Sequence, residues 1–110
     1  MKKSIEISVG TVFSVRGEKD RTHIIINTGE NNWFSSSACN LKEGGFSIVA
    51  SPGTAGPENI QEVVNQFSAE MARKGMIEYW IKMTGKPLDE EFMSIINKEM
   101  SSQPRRINLD

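Results

Sequence analysis

The chain has one cysteine, one histidine, one tyrosine and four prolines in 110 residues, and almost no net charge. Each scarcity removes a class of answers. Cys39 has no second cysteine to pair with, so no intramolecular disulfide forms and a reducing compartment is expected. His23 has no second histidine and no cysteine at ligand spacing, so no metal site is expected. A Cys39–His23 nucleophilic pair is formally available if the fold joins the two. The simpler reading of Cys39 is a small buried side chain. No stretch approaches the roughly 20 apolar residues of a membrane span. Lys2 and Lys3 could open a signal peptide, but Glu6 and Gly10 interrupt the apolar run that must follow. The expectation is a soluble, cytoplasmic protein with no membrane partner.

Charge of one sign is also missing. Thirteen Lys/Arg face fourteen Asp/Glu, a net charge of −1. That balance argues against binding polyanions through bulk charge. Residues 1–50 carry +1 and residues 51–110 carry −2, so nucleic acid would have to be held by a local patch and by stacking. The glycine-rich pieces GTAGPEN and KEGG lack the following Lys-Ser or Lys-Thr pair of a phosphate loop. Asp89, Glu90 and Glu91 are adjacent and would point apart on a helix, where they suit its positive N-terminal end better than acid/base work. No catalytic residue, cofactor or enzymatic activity is expected.

What the chain does have is a change of pattern near residue 52. Before it, apolar residues come in short β-prone clusters. Ile5, Ile7 and Val9 alternate with polar neighbours, the period of a half-buried strand. Thr11–Arg16 follows Gly10, giving either one long strand bent at the glycine or two strands joined there. Residues 17–20 and 29–32 read as turns. Arg21–Thr28 holds three consecutive isoleucines, Ile24 to Ile26, which cannot all face one way. Trp33–Cys39 and Phe46–Ala50 are further strands. Residues 51–58 read as an exposed linker.

After that linker the spacing turns helical. Ile60, Val63, Val64, Phe67 and Met71 form one stripe at helical intervals, with Pro57 just before it and Gly75 breaking or kinking it. Met76–Met83 is a second segment, apolar on most faces, stopped at Gly85. A third helix opens at Pro87 and carries Leu88, Phe92, Ile95 and Ile96 on one side. The fold class is therefore α+β in one domain: a β-unit over 4–50, a linker over 51–58, a helical part of about three helices over 59–101, and a flexible tail over 102–110.

The strand half resembles the start of an OB-fold barrel, the fold of many single-stranded nucleic-acid-binding proteins. The likeness covers roughly residues 5–50. It rests on Gly10 inside a long bent first strand, on Val12, Val15, Ile24, Ile26 and Ile48, and on the Leu41-Lys-Glu-Gly44 turn. It implies a strongly bent antiparallel sheet or partial barrel, with a binding face on the second and third strands. Trp33 and Phe34 would then lie on or beside that face.

Two function classes follow. The first is non-enzymatic binding of single-stranded DNA or RNA. Trp33 or Phe34 would stack a base, while Arg16, Lys19, Arg21, His23 and Lys42 would contact phosphates. Alternation along a strand sends one ring of the Trp33–Phe34 pair inward and leaves the choice open. The basic residues read equally as a solvated hairpin tip, because Glu18 and Asp20 lie among them. The second class is a small protein-interaction module, such as an adaptor or an inhibitor of a host enzyme, of the kind phages and mobile elements encode. Ile77, Tyr79, Trp80, Ile81 and Met83 crowd one helical segment and are expected to form a homodimer surface or to pack between sheet and third helix. Five of the six methionines, which suit an adaptable interface, lie after residue 70.

Overall fold

A computed structural model describes residues 4–100 and 103–109. The architecture is α+β. Eight strands run as β1 (Ser4–Ile7), β2 (Thr11–Val15), β3 (Thr22–Asn27), β4 (Phe34–Lys42), β5 (Gly45–Ile48), β6 (Gly53–Ala55), β7 (Ile60–Gln66) and β8 (Arg105–Asn108), with helices α1 (Ala69–Thr84) and α2 (Glu90–Glu99) between the last two strands. Six strands form one antiparallel sheet in the order β5-β4-β3-β2-β7, with β6 beside the first half of β4 where β5 covers the second half. The sheet stays open, so no closed barrel forms among the described residues. β1 and β8 make a separate antiparallel ribbon in which Ile5 faces Ile107.

The three isoleucines of β3 explain the layering. Successive side chains on a strand point to opposite faces. Ile24 and Ile26 enter a core shared with Val12, Cys39, Ile48, Ala72, Met76 and Ile96 on the helix side. Ile25 enters a second core with Ile7, Phe13, Phe34, Ile60 and Ile107 under the ribbon. Both faces of the sheet are therefore covered, and burying each such side chain is worth about 1.5–3 kcal/mol.

Gly10 is the junction between the two layers. At φ +103 its N–H donates to Ile25 O (2.9 Å) and its carbonyl accepts from Phe67 N (2.8 Å). The chain leaves the sheet here, so β1 and β2 belong to different sheets and the single bent strand does not form. Gly75 has a different use. It sits inside α1, which runs unbroken through it, and a Cβ there would lie 2.6 Å from the Phe46 ring. The glycine lets the helix settle on β5.

Four sequence expectations are corrected. The segment expected to open the first helix, 59–66, is largely strand β7. Its β-branched valines and glutamines suit an edge strand, and its apparent helical stripe is split, with Ile60 buried and Val63 and Val64 exposed. The helical part thus holds two helices rather than about three. α1 starts only at Ala69, capped by Ser68, whose hydroxyl accepts from Met71 N, and it stops before Gly85, which lies in the left-handed region. α2 is capped by Asp89, which accepts from Phe92 N at 2.7 Å. The linker contributes β6 and a short 3-10 turn, Pro57–Asn59. The tail expected to be flexible supplies β8, held because Ile107 is buried under the sheet. Residues 101, 102 and 110, parts of the helical and tail assignments, lie outside the described residues. No helix among the described residues is long and apolar enough to cross a membrane.

Two groups set a pH window for this fold. Burial holds the His23 imidazole below its ordinary 6.5, with Glu18 opposing and Arg21 reinforcing the shift. As pH falls, the unfolded chain takes up that proton first, so stability declines below about pH 6.5. Burial raises the Cys39 thiol above its ordinary 9.0, against the Thr22 hydrogen bond that lowers it. The unfolded chain then loses that proton first, and stability declines above about pH 9. Thermal melts should show a plateau between these limits, and His23→Gln should flatten its acid shoulder. An unchanged acid shoulder in that variant would remove His23 from the account.

Candidate functional site

The turn before β4 decides the Trp33–Phe34 alternative. Gly29, Asn31 and Asn32 all have positive φ, a region that glycine and asparagine tolerate. Trp33 N–H closes the turn on Glu30 O at 2.9 Å. The tight path leaves the Trp33 side chain 53% exposed and sends Phe34, 1% exposed, into the ribbon-side core against the edge of Phe13. Phe34 is thus a core residue and not part of a binding face.

Trp33 lines an open groove of about 700 Å³ together with Arg16, Asn31, Asn32, Pro57 and Glu58. Arg16 is anchored there. Its backbone N–H donates to Asn59 O and its Nε to Ile60 O, each at 3.0 Å. Its terminal guanidinium nitrogens have no partner among the described residues. A flat aromatic face and an oriented cation thus border one groove.

The other basic candidates are spread out. Lys19 and Arg21 line a shallow groove of about 840 Å³ in which Glu18, Asp20 and Glu62 interleave. Arg21 Nε lies 3.4 Å from a Glu18 carboxylate oxygen, an exposed pair worth little. Lys42 stands apart, beside Lys74 and Glu78 against α1. It does not join the patch, because the β4–β5 hairpin carries it to the helix side.

His23 lies in a cavity of about 330 Å³ that Arg21 also borders. Its ring stacks on Phe13, with centroids 5.7 Å apart and planes 23° apart. Its Nε2 is buried without a hydrogen-bond partner. Ser36, Thr54 and Asn59 border the same cavity. Sequence reasoning missed these three. Ser36 sits at an inward position of a strand with a polar half, which was the available signal; Thr54 and Asn59 come from a segment read as linker and helix start.

On the helix side, a groove of about 460 Å³ runs between α1, α2 and the sheet, lined by Ile26, Met76, Trp80, Phe92, Ile95 and Met100. The expected dimer surface divides here. Ile77, Tyr79 and Trp80 pack on the core, with Trp80 edge-on to Phe92, while Ile81 and Met83 are exposed. Cys39 is buried on this side, its sulfur 3.7 Å from the Thr22 hydroxyl. His23, on the opposite face of β3, does not meet it. No protein family, curated protein or solved structure matches this chain.

Proposed function

We propose that the protein is a non-enzymatic binder of single-stranded nucleic acid, with Trp33 stacking a base and Arg16 contacting a neighbouring phosphate. The observation that carries this reading is the exposed indole held by a tight turn beside an anchored guanidinium. Lys19 and Arg21 border a separate groove, where the carboxylates among them keep any contribution to affinity modest.

Trp33→Ala should weaken binding of a short oligo-dT by about 1–3 kcal/mol, the usual worth of one stacked base. Arg16→Gln should reduce the salt slope by about 0.7, the counterion term of one phosphate on a single strand. Tryptophan fluorescence in a Trp80→Phe background reads Trp33 alone. No quenching at low salt would sink the proposal.

The alternative is an interaction module, an adaptor or inhibitor, including a homodimer. It is favoured by the apolar groove between α1 and α2 and by the exposed Met83, Leu88 and Ile95 near it. A mass that rises with concentration in sedimentation equilibrium, without nucleic acid, would support the dimer.

A further inference from the structure

We propose that the His23 cavity is a slot for one flat, neutral heterocycle, a nucleobase, read through its hydrogen-bonding edge. The proposal rests on the nucleic-acid reading only for the source of the base, not for the slot itself.

Three observations support it. First, the cavity, at about 330 Å³, is at the small end of ligand sites, which suits one ring system. Ala38, Ala50, Gly53 and Ala55 line part of this open site, and such small side chains leave room for a flat ring. Second, its polar groups are unspent. His23 Nε2 is buried with no partner, a state that ordinarily costs free energy and calls for an explanation. The Ser36 hydroxyl makes no hydrogen bond among the described residues. Asn59 uses its Oδ1 on Gly56 N–H and leaves its amide N–H groups free. The Ser36 hydroxyl and the Asn59 amide thus put an acceptor and donors at the cavity, as a base edge requires, whereas the enclosed His23 Nε2 is reached only when the imidazole turns. Third, the charge is balanced. Arg21 and Glu18 border the cavity as a pair, and burial keeps the imidazole neutral near pH 7. The slot accordingly favours a neutral ring over a phosphate.

The site also has a neighbour. The Pro57–Asn59 turn separates the slot from the Trp33 groove, with Pro57 and Glu58 lining one and Asn59 the other. A strand crossing that turn would place one base on Trp33, which is tolerant of sequence, and another in the slot, which is not.

The test uses the full chain with labelled His23 followed by NMR. Each of the four nucleoside monophosphates is titrated, with ribose 5-phosphate as the baseless control. The expected result is a shift of the His23 ring signals by at least one mononucleotide, no shift with ribose phosphate, and a spread of about 10-fold or more in affinity among bases. His23→Phe, which keeps a ring on Phe13, should abolish that spread. Equal binding of all four bases, or no movement of His23, overturns the slot.

Oligo-dT quenching of Trp33, measured in parallel, separates the two ideas. Quenching without a His23 response to any mononucleotide or oligonucleotide overturns the slot and leaves the Trp33 reading standing. A His23 response to mononucleotides without any oligonucleotide quenching supports the slot for free nucleotides and overturns the strand reading.

Discussion

Gly10→Val is expected to remove at least about 3 kcal/mol of stability, enough to unfold much of a marginal domain. Two penalties coincide at this position. A side chain at φ +103 is strained whatever surrounds it. A Cβ would also lie 2.1 Å from the Phe67 carbonyl oxygen, a backbone atom that accepts from Gln66 Nε2 and belongs to the residue whose N–H donates to Gly10 O. Gly17→Ala separates the two effects. Gly17 has φ +78 with nothing within 4 Å of its Cβ position, so only the backbone strain, about 1 kcal/mol, should appear. Urea titration followed by circular dichroism checks both. Similar midpoints for the two variants would mean that the junction at Gly10 is not as tight as described.

Ile107→Ala is the second large effect, with an expected loss of about 2–5 kcal/mol. Ile107 is fully buried beneath the sheet with Ile7, Phe13 and Phe34, and it sits opposite Ile5 across the ribbon. Truncating it opens a void that the two-stranded ribbon has few other contacts to close. Met83→Ala, at a side chain 63% exposed, serves as the control and should change stability by no more than about 0.5 kcal/mol. Removal of residues 105–110 should expose Phe13 and Ile25 and cost more than the point substitution. If Ile107→Ala matched Met83→Ala, β8 would be a surface strand only, and the terminal segment would revert to the loose tail that its sequence suggests.

The functional assignment turns on how the fold sorts residues that the sequence brings together. Arg16, Lys19, Arg21 and His23 cluster within eight positions, yet they divide among three cavities. The turn residues 17–20 and the alternation along β3 send them to different sides of the β2–β3 hairpin. Lys42 is carried away altogether. What remains is a pair of grooves on either side of one 3-10 turn, one bordered by the exposed Trp33 indole and the Arg16 guanidinium, the other by the His23 imidazole.

Local rules account for the parts of the fold that were legible. Turns at 17–20 and 29–32 follow from glycine, asparagine and aspartate, which accept positive φ. The strands within 4–50 follow from period-2 alternation and β-branched residues. The stop of α1 at Gly85 and the acidic start of α2 follow from local rules, whereas the cap at Ser68 lay hidden inside the apparent helical stripe that begins at Ile60. The three isoleucines of β3 already required cover on both faces of the sheet, though not the identity of that cover.

By itself, then, the sequence determined an α+β domain, its turns at 17–20 and 29–32, the helix stop at Gly85, the lone Cys39 and His23, and a charge balance that confines any anion binding to a local patch. Only the tertiary structure decided the rest. Residues 60–66 carry both a helical stripe and β-branched side chains, and pairing with β2 tips them to strand because the sheet offers a ladder and a place for Ile60. Residues 105–108 have no local pattern strong enough to order them; their partner, β1, lies at the other end of the chain, and burial of Ile107 makes the ribbon. Trp33 faces out and Phe34 in because a turn of three positive-φ residues sets the phase of β4. The His23 slot exists because β3, β4 and the segment after β5 converge there. Local sequence encodes period and turn chemistry, whereas partners distant in the chain and the face that is buried are selected by packing.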